Sequence, residues 1–372
     1  MNKGQPYRKG VVSVVLTAFI SMTAIAMATA QADERVVNVY NWSDYIDDSV
    51  LASFQKDTGI KVNYDVFDSN EMLETKLLAG SSGYDVVVPS AHFLSRQIRA
   101  GVFEKLDKDK LSNLGNMWDV ISERTAIYDP GNDYSVNYMW GTTGIGYVAE
   151  KVREVLGEDA PLDSWALVFD PQYADKLASC GIYWLDAPVE ILAAIQAYLG
   201  EKPGDWSNID KAVEVADKVR KDVSKFNSSE YISALANGDI CVAVGWSGDV
   251  FQAQSRAEEA KNGLSINYYI PREGALMWFD QMAIPADAKN KAEAYEFINY
   301  LMKPEMVAKV SDFVAYANGN KTSQEFMDKV VLENPAIYPD EEVMGKLFTV
   351  LAPEGKDQRT LNRAWTRIKS GN

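Results

Sequence analysis

Short apolar runs alternate with amphipathic stretches along the first part of the chain, and this pattern predicts strands that are each followed by a helix. We expect strands at residues 36–40, 61–67 and 86–88, with helices ending near residue 59 and spanning residues 70–79. Strands that alternate with helices form a parallel sheet covered on both faces. Ligands bind beyond the carboxyl ends of the strands in such sheets. The polar residues that follow each strand are therefore candidates for a binding site.

The same alternation begins again after the glycine-rich segment 140–147. It predicts helices near residues 189–199 and 229–236, and strands at residues 240–244 and 265–270. The glycines of the first segment lack the lysine and the spacing of a phosphate-binding loop. We expect them instead to let the chain cross between two α/β lobes.

Two α/β lobes joined by crossing strands form a cleft that a hinge can close. The strand that contains residues 278–280 is expected to carry the chain back to the first lobe. The first lobe is predicted to comprise residues 33–138 plus 276–315, and the second lobe residues 139–275 plus 316–372. About 340 residues after residue 32 are too many for one ordinary core and enough for two lobes.

The N-terminal segment has the pattern of a signal peptide. Three basic residues precede an apolar stretch over residues 11–27, which ends in small residues. Such a segment directs export and is removed from the mature protein. We expect a signal peptide over residues 1–32, with cleavage after Ala30 or Ala32, and a periplasmic product. A retained membrane anchor is the alternative, but polar residues interrupt the stretch and no stop-transfer cluster of charges follows it.

The composition is acidic. The formal net charge is -16 at pH 7, and loss of the three basic residues in segment 1–32 makes it -19. An acidic surface repels phosphates and anionic lipids and attracts small cations, so nucleic acid is not an expected partner. Selection for solubility alone also explains an acidic surface.

Cys180 and Cys241 are the two cysteines of the chain. In an oxidising compartment, an isolated pair predicts one disulfide, with two buried thiols as the alternative. Closing a loop of this length would stabilise the fold by roughly 4 kcal/mol in the chain-entropy model.

The residues that enzymes most often use are scarce. His92 is the single histidine, which excludes zinc sites built on two histidines and most Ser-His-Asp or Cys-His catalysis. No GxGxxG motif follows a predicted strand, which disfavours a flavin amine oxidase. We therefore expect no metal, no cofactor and no enzymatic activity. A secreted glycoside hydrolase that uses paired carboxylates is the alternative.

Three predicted loops pair a carboxylate with an indole: Asp44 with Trp42, Asp249 with Trp246, and Asp280 with Trp278. These loops have no Arg or Lys at their centre, whereas receptors for amino acids need a cation for the ligand carboxylate. An alkylammonium needs a carboxylate at each charge and apolar walls along its methylenes. Aromatic faces supply such walls and add a cation–π attraction of roughly 0.5–2 kcal/mol each. One such pair alone is more simply explained as a surface Asp beside a core Trp, but three pairs predict a cation-binding cleft.

Several stretches closely resemble the bacterial periplasmic putrescine- and spermidine-binding proteins, which are polyamine receptors of ABC importers. These stretches are residues 40–45, 67–70, 88–90, 185–188, 236–241 and 245–249. The resemblance covers essentially the whole mature chain. It implies a two-lobed type II periplasmic-binding-protein fold, each lobe being a mainly parallel sheet flanked by helices, with hinge strands between them. It also implies a monomeric receptor that delivers a polyamine to an inner-membrane ABC permease, although a sensor or adhesin would keep the same binding site.

The resemblance also implies roles for individual residues. Aromatic walls would come from Trp42, Trp246, Trp278 and Tyr316. Ammonium groups would be held by Asp44, Glu190, Asp249 and Asp280. Further polar contacts would come from Ser43, Tyr45, Ser90 and Ser228. The roles of Glu190 and Tyr316 come from the resemblance alone, which also matches a disulfide between Cys180 and Cys241.

Two positions bear on ligand selectivity. Relatives that resemble putrescine receptors tend to have Phe where this chain has Trp278, and the spermidine type tends to have Trp. The larger indole covers more of a triamine, so the resemblance favours spermidine, with putrescine as the alternative. His92 follows Ser90 closely, and if it faces the cleft its protonation would oppose cation binding at acid pH.

Overall fold

The computed structural model describes residues 34–371. The predicted signal peptide at residues 1–32 lies outside the described residues. Within residues 34–371, no helix combines the length and the apolar character that a membrane span requires.

The described residues form a mixed α/β fold. The strands are β1 Val36–Trp42, β2 Lys61–Phe67, β3 Val86–Val87, β4 Ser135–Val148, β5 Ile182–Trp184, β6 Lys225–Phe226, β7 Val242–Trp246, β8 Ile266–Tyr269, β9 Met277–Ala283 and β10 Ala317–Asn318. The α-helices are α1 Asp48–Thr58, α2 Asn70–Ala79, α3 Ala91–Arg99, α4 Asp119–Thr125, α5 Ala149–Leu156, α6 Ala166–Phe169, α7 Pro171–Leu177, α8 Pro188–Tyr198, α9 Asp210–Val219, α10 Glu230–Asn237, α11 Ser247–Ala260, α12 Lys291–Leu301, α13 Pro304–Val314, α14 Lys329–Leu332, α15 Glu341–Lys346 and α16 Gly355–Ser370. Short 3₁₀ helices lie at Lys108–Lys110, Leu114–Asn116, Arg220–Asp222 and Lys321–Glu325.

The N-terminal strands follow the predicted pattern. β1 lies between β2 and β3 and is parallel to both, in a register that places Val36 opposite Lys61 and Trp42 opposite Phe67. The helices that connect these strands have capped ends. The Asp47 side chain accepts a hydrogen bond from the Ser49 backbone at the start of α1, and Gly59 ends that helix with φ 69. Glycine adopts this left-handed conformation without steric cost.

One long strand joins the two halves of the sheet. β4 is buried along all 14 of its residues. Its first part is antiparallel to β9, and its second part is antiparallel to β7 and β8. The first half-sheet comprises β1, β2, β3, β9, β10 and the first part of β4, and the second half-sheet comprises the rest of β4 with β5 to β8. The predicted crossing at residues 140–147 is therefore made by an extended strand.

The glycines of β4 allow neighbouring side chains to approach its backbone closely. A Cβ atom at Gly141 would lie 2.6 Å from the Trp278 ring, and one at Gly144 would lie 2.4 Å from the Tyr269 carbonyl oxygen. Carbon atoms do not reach such distances without a shift of the surrounding chain. These glycines therefore serve packing as well as the crossing between half-sheets.

Each half-sheet has its own large hydrophobic core. One core contains Val37, Val86 and Ile298 around the first half-sheet. The other contains Ile182 and Val244 of the second half-sheet and also takes in three side chains of α16, namely Leu361, Trp365 and Ile368. The two-lobed fold is thus built on two cores, whereas the residue boundaries of the lobes given above stay a prediction.

A disulfide joins Cys180 to Cys241, whose Cα atoms are 5.5 Å apart. Cys180 lies shortly before β5, and Cys241 directly precedes β7, the parallel neighbour of β5. The bond therefore links the beginnings of two adjacent strands in the second half-sheet.

Candidate functional site

A pocket lies where strand ends of the two half-sheets face each other. It contains about 580 Å³ of space between protein atoms, part of which is open to solvent. It is lined by Trp42, Ser43, Tyr45, Asp68, Asn70, Ser90, Glu190, Ser228, Ser229, Ile232, Trp246, Asp249, Trp278, Asp280 and Tyr316. The structure thus brings all of the sequence-predicted ligand residues except Asp44 into one pocket.

Asp44 lies outside this lining. Its side chain is 51% exposed and forms a 3.0 Å ion pair with Arg256 of α11. Its backbone has φ 53, a left-handed conformation that Asp tolerates better than most residues. Its carboxylate thus has a cation partner outside the pocket lining, and the role of Asp44 in holding a ligand ammonium stays a prediction.

Asp280 is a buried carboxylate on β9. The Ser90 hydroxyl donates a 2.6 Å hydrogen bond to Oδ1, and the Tyr45 hydroxyl donates a 2.8 Å bond to Oδ2. Its residue is only 5% exposed. Desolvation raises the pKa of Asp280 to about 7, although both hydrogen bonds act in the opposite direction.

Asp249 is a second carboxylate of the pocket, half-buried, in the first turn of α11. Tyr316 and Tyr231 each donate a hydrogen bond of 2.7 Å, one to each carboxylate oxygen. The helix N-terminus also favours a negative charge at this position. Burial nevertheless raises the pKa of Asp249 to about 6.

Glu190 is the third carboxylate of the pocket and lies in the first turn of α8. The Trp246 indole donates a 2.8 Å hydrogen bond to Oε2, and the Thr143 hydroxyl donates to the same oxygen. Burial raises the pKa of Glu190 to about 7, against both of these bonds. The residue is 7% exposed, so its charge is almost fully withdrawn from water.

These three carboxylates lie in one pocket, where Glu190 and Asp280 are buried and Asp249 is half-buried. The pocket lining contains no lysine and no arginine. Within residues 34–371, the hydrogen-bond donors to these carboxylates are five hydroxyl groups and one indole rather than Lys or Arg side chains. Buried charges in proteins are normally paired, because an unpaired buried charge costs several kcal/mol. The pocket is therefore suited to a ligand that brings positive charge.

Aromatic rings form the walls between the carboxylates. The Trp42 and Trp246 rings meet at 5.9 Å between centroids, and the Trp278 and Tyr316 rings at 5.1 Å. The Trp42 indole also donates a 2.9 Å hydrogen bond to the Val88 carbonyl oxygen, which fixes its orientation. Such walls offer apolar area and cation–π attraction to an alkylammonium chain.

Several lining residues were not identified from the sequence. Asn70 donates a 3.1 Å hydrogen bond to the Ser90 hydroxyl and accepts a 3.0 Å bond from its backbone, so it positions Ser90. Asp68 accepts a 3.0 Å bond from Ser43. Both follow β2, so the rule that ligands bind beyond strand ends would have included them. Ser229, Ile232 and Tyr231, which contacts Asp249, carry no comparable sequence signal.

His92 lines a space beside the pocket, a position that the sequence had left open. The residue is 8% exposed. Desolvation, and then the charge of Arg96, lower the pKa of His92 to about 3. The imidazole is therefore neutral well below the usual pKa of histidine, and it does not repel a cation in mildly acidic solution.

The raised pKa of Asp280 predicts a measurable pH dependence of stability. Between pH values of about 4 and 7, the folded state retains a proton that an unfolded Asp has released, since the unfolded pKa is about 3.9. The contribution of this retained proton to the free energy of unfolding is fully present below the unfolded pKa. It is lost as the pH rises through 7. We expect the free energy of unfolding of wild type, measured in urea, to fall relative to that of Asp280→Asn when the pH is raised from 5 to 8. A stability difference that is the same at both pH values would contradict the desolvation of Asp280.

Comparisons with known proteins agree with this geometry. Residues 49–339 match the family model described as bacterial extracellular solute-binding protein. The chain is 51% identical over 354 residues to the putrescine-binding periplasmic protein PotF of Escherichia coli strain K12, covering 94% of this chain and 96% of PotF. It is 52% identical over 367 residues to the putrescine-binding periplasmic protein SpuD of Pseudomonas aeruginosa strain UCBPP-PA14, covering 98% and 99% of the two chains.

The fold is also shared with solved structures. The spermidine/putrescine ABC transporter substrate-binding protein PotD of Streptococcus pneumoniae superposes with a TM-score of 0.74 at 28% sequence identity, covering 91% of this chain and 99% of PotD. The fold is thus that of the type II periplasmic binding proteins. The chain belongs to the family of bacterial extracellular solute-binding proteins, in the group that includes the periplasmic putrescine-binding and spermidine/putrescine-binding proteins.

Proposed function

We propose that this protein is a periplasmic receptor that binds a polyamine in the pocket and delivers it to an ABC importer. The observation that carries the proposal is the set of three carboxylates in an aromatic pocket without a lysine or arginine, of which Glu190 and Asp280 are buried and Asp249 is half-buried. A linear polyamine fits both features of the pocket, because its ammonium groups can pair with the carboxylates and its methylenes can pack against the aromatic rings.

The carboxylates define two ends of the binding slot. Asp249 and Asp280 are bonded to Tyr316 and Tyr45, whose rings pack edge to face with 5.4 Å between centroids. Glu190 instead bonds to the Trp246 indole. We assign one ammonium of a diamine to the two aspartates and the other to Glu190, with the methylenes between the indoles.

The choice among polyamines is a finer part of the proposal. PotF and SpuD are named as putrescine-binding proteins, and both are about half identical to this chain. Trp278, which favoured spermidine in the sequence analysis, lines the pocket. We propose that putrescine and spermidine both bind, and the preference for spermidine stays a prediction.

The cellular setting follows from the same relatives. PotF and SpuD are named as periplasmic, and the streptococcal PotD is named as the substrate-binding protein of an ABC transporter. Together with the signal-peptide pattern, this supports a proposed periplasmic location and an ABC permease as partner, and the monomeric state stays a prediction. We propose no catalytic step, and nothing in the relatives' names favours the glycoside hydrolase alternative.

Titration calorimetry of the mature protein at pH 8 tests the proposal. We expect putrescine and spermidine to bind at one to one with a Kd that is micromolar or tighter, about -8 kcal/mol or better. Butylamine, with one charge, and 1,4-butanediol, with none, serve as controls and should bind far more weakly. No heat and no thermal shift with any polyamine would refute the proposal. An altered polyamine recovered after incubation would instead indicate an enzyme.

A further inference from the structure

The three carboxylates of the pocket come from both half-sheets. Asp280 lies on β9 of the first half-sheet, whereas Asp249 and Glu190 lie in the first turns of α11 and α8. These two helices pack in the core of the second half-sheet, through side chains such as Val250 and Ile191. A hinge movement that closes the pocket therefore brings like charges toward each other.

The carboxylates act on one another across the pocket. Desolvation is the main cause of the raised pKa values of Asp280 and Glu190, and a neighbouring carboxylate adds to each. Asp249 acts on Asp280, and Asp280 acts on Glu190. The loss of surrounding water and the approach of a like charge both destabilise an ionised carboxylate. Closing the pocket with all three groups ionised therefore costs free energy.

The other titratable groups at the pocket bring no positive charge. Tyr45 and Tyr316 line it and Tyr231 lies behind the lining, and burial raises the pKa of each well above its ordinary value, so all three are neutral. His92, beside the pocket, is neutral because desolvation lowers its pKa to about 3. Asp68 is a further carboxylate of the lining and is exposed to solvent.

Charged groups outside the lining do not remove the cost either. Beyond desolvation, the Asp44 carboxylate raises the pKa of Asp249 and the Arg256 guanidinium lowers it. Asp44 and Arg256 pair with each other at 3.0 Å, so their effects on Asp249 largely cancel. Near Glu190, the Glu71 carboxylate adds negative charge.

We propose that these three carboxylates gate the closing of the two lobes: while ionised they hold the lobes apart, and closing requires that their charge be offset. The inference rests on the proposed polyamine function, since a diamine offsets two of the three charges. A ligand shifts such an equilibrium through its higher affinity for one of the two states. Protons offset the same charges, so the ligand-free protein closes in acid. At pH 8 the ligand-free receptor stays open and does not compete with loaded receptor for the permease.

The direction of the pH dependence follows from the closed pocket. Burial there raises the pKa of Asp280 and of Glu190 to about 7 and that of Asp249 to about 6. Carboxylates in water ionise at a pH of roughly 4. Closing therefore takes up protons between these values, so the closed form gains stability as the pH falls through 7 and loses it as the pH rises to 8.

Small-angle X-ray scattering of the dialysed mature protein tests the gate, because closing lowers the radius of gyration. At pH 8 we expect ligand-free wild type to be open and saturating putrescine to lower its radius. Without ligand, the radius should fall to that of the putrescine complex when the pH is lowered from 8 to 5. This measurement needs no variant, so it does not depend on whether a substituted protein folds.

A triple variant and a matched control identify the groups responsible. Neutralising the gate at constant shape should give the small radius at pH 8 without ligand, and the variant is Glu190→Gln, Asp249→Asn and Asp280→Asn. The control removes three negative charges from exposed ion pairs and should stay open at pH 8; it is Asp163→Asn, Asp217→Asn and Glu342→Gln. Circular dichroism at pH 8 checks that both variants are folded.

The outcomes separate the gate from the proposed function. Ligand-free wild type that is already closed at pH 8, or that stays open at pH 5, overturns the gate, whereas putrescine binding in calorimetry leaves the proposed function standing. A control variant that closes at pH 8 also overturns it, because the net charge and not the pocket would then set the opening. A protein that closes in acid but binds no polyamine refutes the proposed function and, with it, the role of the ligand in the gate.

Discussion

Asp249→Asn is expected to weaken polyamine binding at least tenfold while the protein remains folded. The change is nearly isosteric and removes one negative charge from a desolvated position. Breaking a buried, hydrogen-bonded charge pair at an interface costs about 2–5 kcal/mol. Calorimetry at pH 8, where the Asp249 carboxylate is ionised given its pKa of about 6, measures the effect directly.

The ligand-free fold should tolerate this substitution. Tyr231 and Tyr316 each bond to one side-chain oxygen of Asp249, and a tyrosine hydroxyl both donates and accepts. The thermal midpoint of the variant should therefore stay close to that of wild type. Asp217→Asn is the matched control, because it removes the same charge from an exposed pair with Arg367. An unchanged Kd in Asp249→Asn would place Asp249 outside the site.

Replacing Cys180 and Cys241 together by alanine is expected to lower the free energy of unfolding by about 4 kcal/mol. The two cysteines are 61 residues apart in sequence, and the disulfide between them restricts the unfolded chain. Alanine is preferred to serine because Cys241 is fully buried, and a serine there would bury a hydroxyl group. Guanidinium unfolding of the oxidised wild type and the double variant provides the comparison.

Binding should be insensitive to this change. The disulfide lies at the beginnings of β5 and β7, whereas the pocket residue Trp246 lies at the opposite end of β7. The Kd for putrescine should therefore match that of wild type at 25 °C. Wild type treated with a thiol reductant should unfold at a denaturant concentration close to that of the double variant. A stability difference below about 1 kcal/mol would contradict the loop-closure argument.

The local pattern of the chain predicted much of the first half-sheet. The predicted strand at residues 61–67 and helix at residues 70–79 have the bounds of β2 and α2. In contrast, the sequence did not indicate that β4 runs unbroken for 14 residues. Glycine is depleted in strands, and β4 contains several. The strand forms because Trp278, Tyr269 and Val250 pack closely against those glycines.

The candidate site was predicted unevenly, and the differences have physical causes. Trp42 and Trp246 end their strands, so the position of ligand sites in open sheets identified them. Glu190 lies in a helix whose pattern is otherwise buried and apolar, so only the resemblance to polyamine receptors indicated it. The ion pair of Asp44 with Arg256 could not be predicted from the local pattern, because the two residues are 212 positions apart in sequence.

The sequence by itself determined the α/β alternation, the acidic balance, the pair of cysteines and the carboxylate and indole residues available for a cation. Only the tertiary structure decided which carboxylates are buried and which have partners. Tyr45 and Asp280 are 235 residues apart in sequence, and Ser90 and Asp280 are 190 residues apart. Desolvation and hydrogen bonding depend on every group that surrounds a charge in space. Those groups come from strands and helices far apart in the chain, so no local pattern records them.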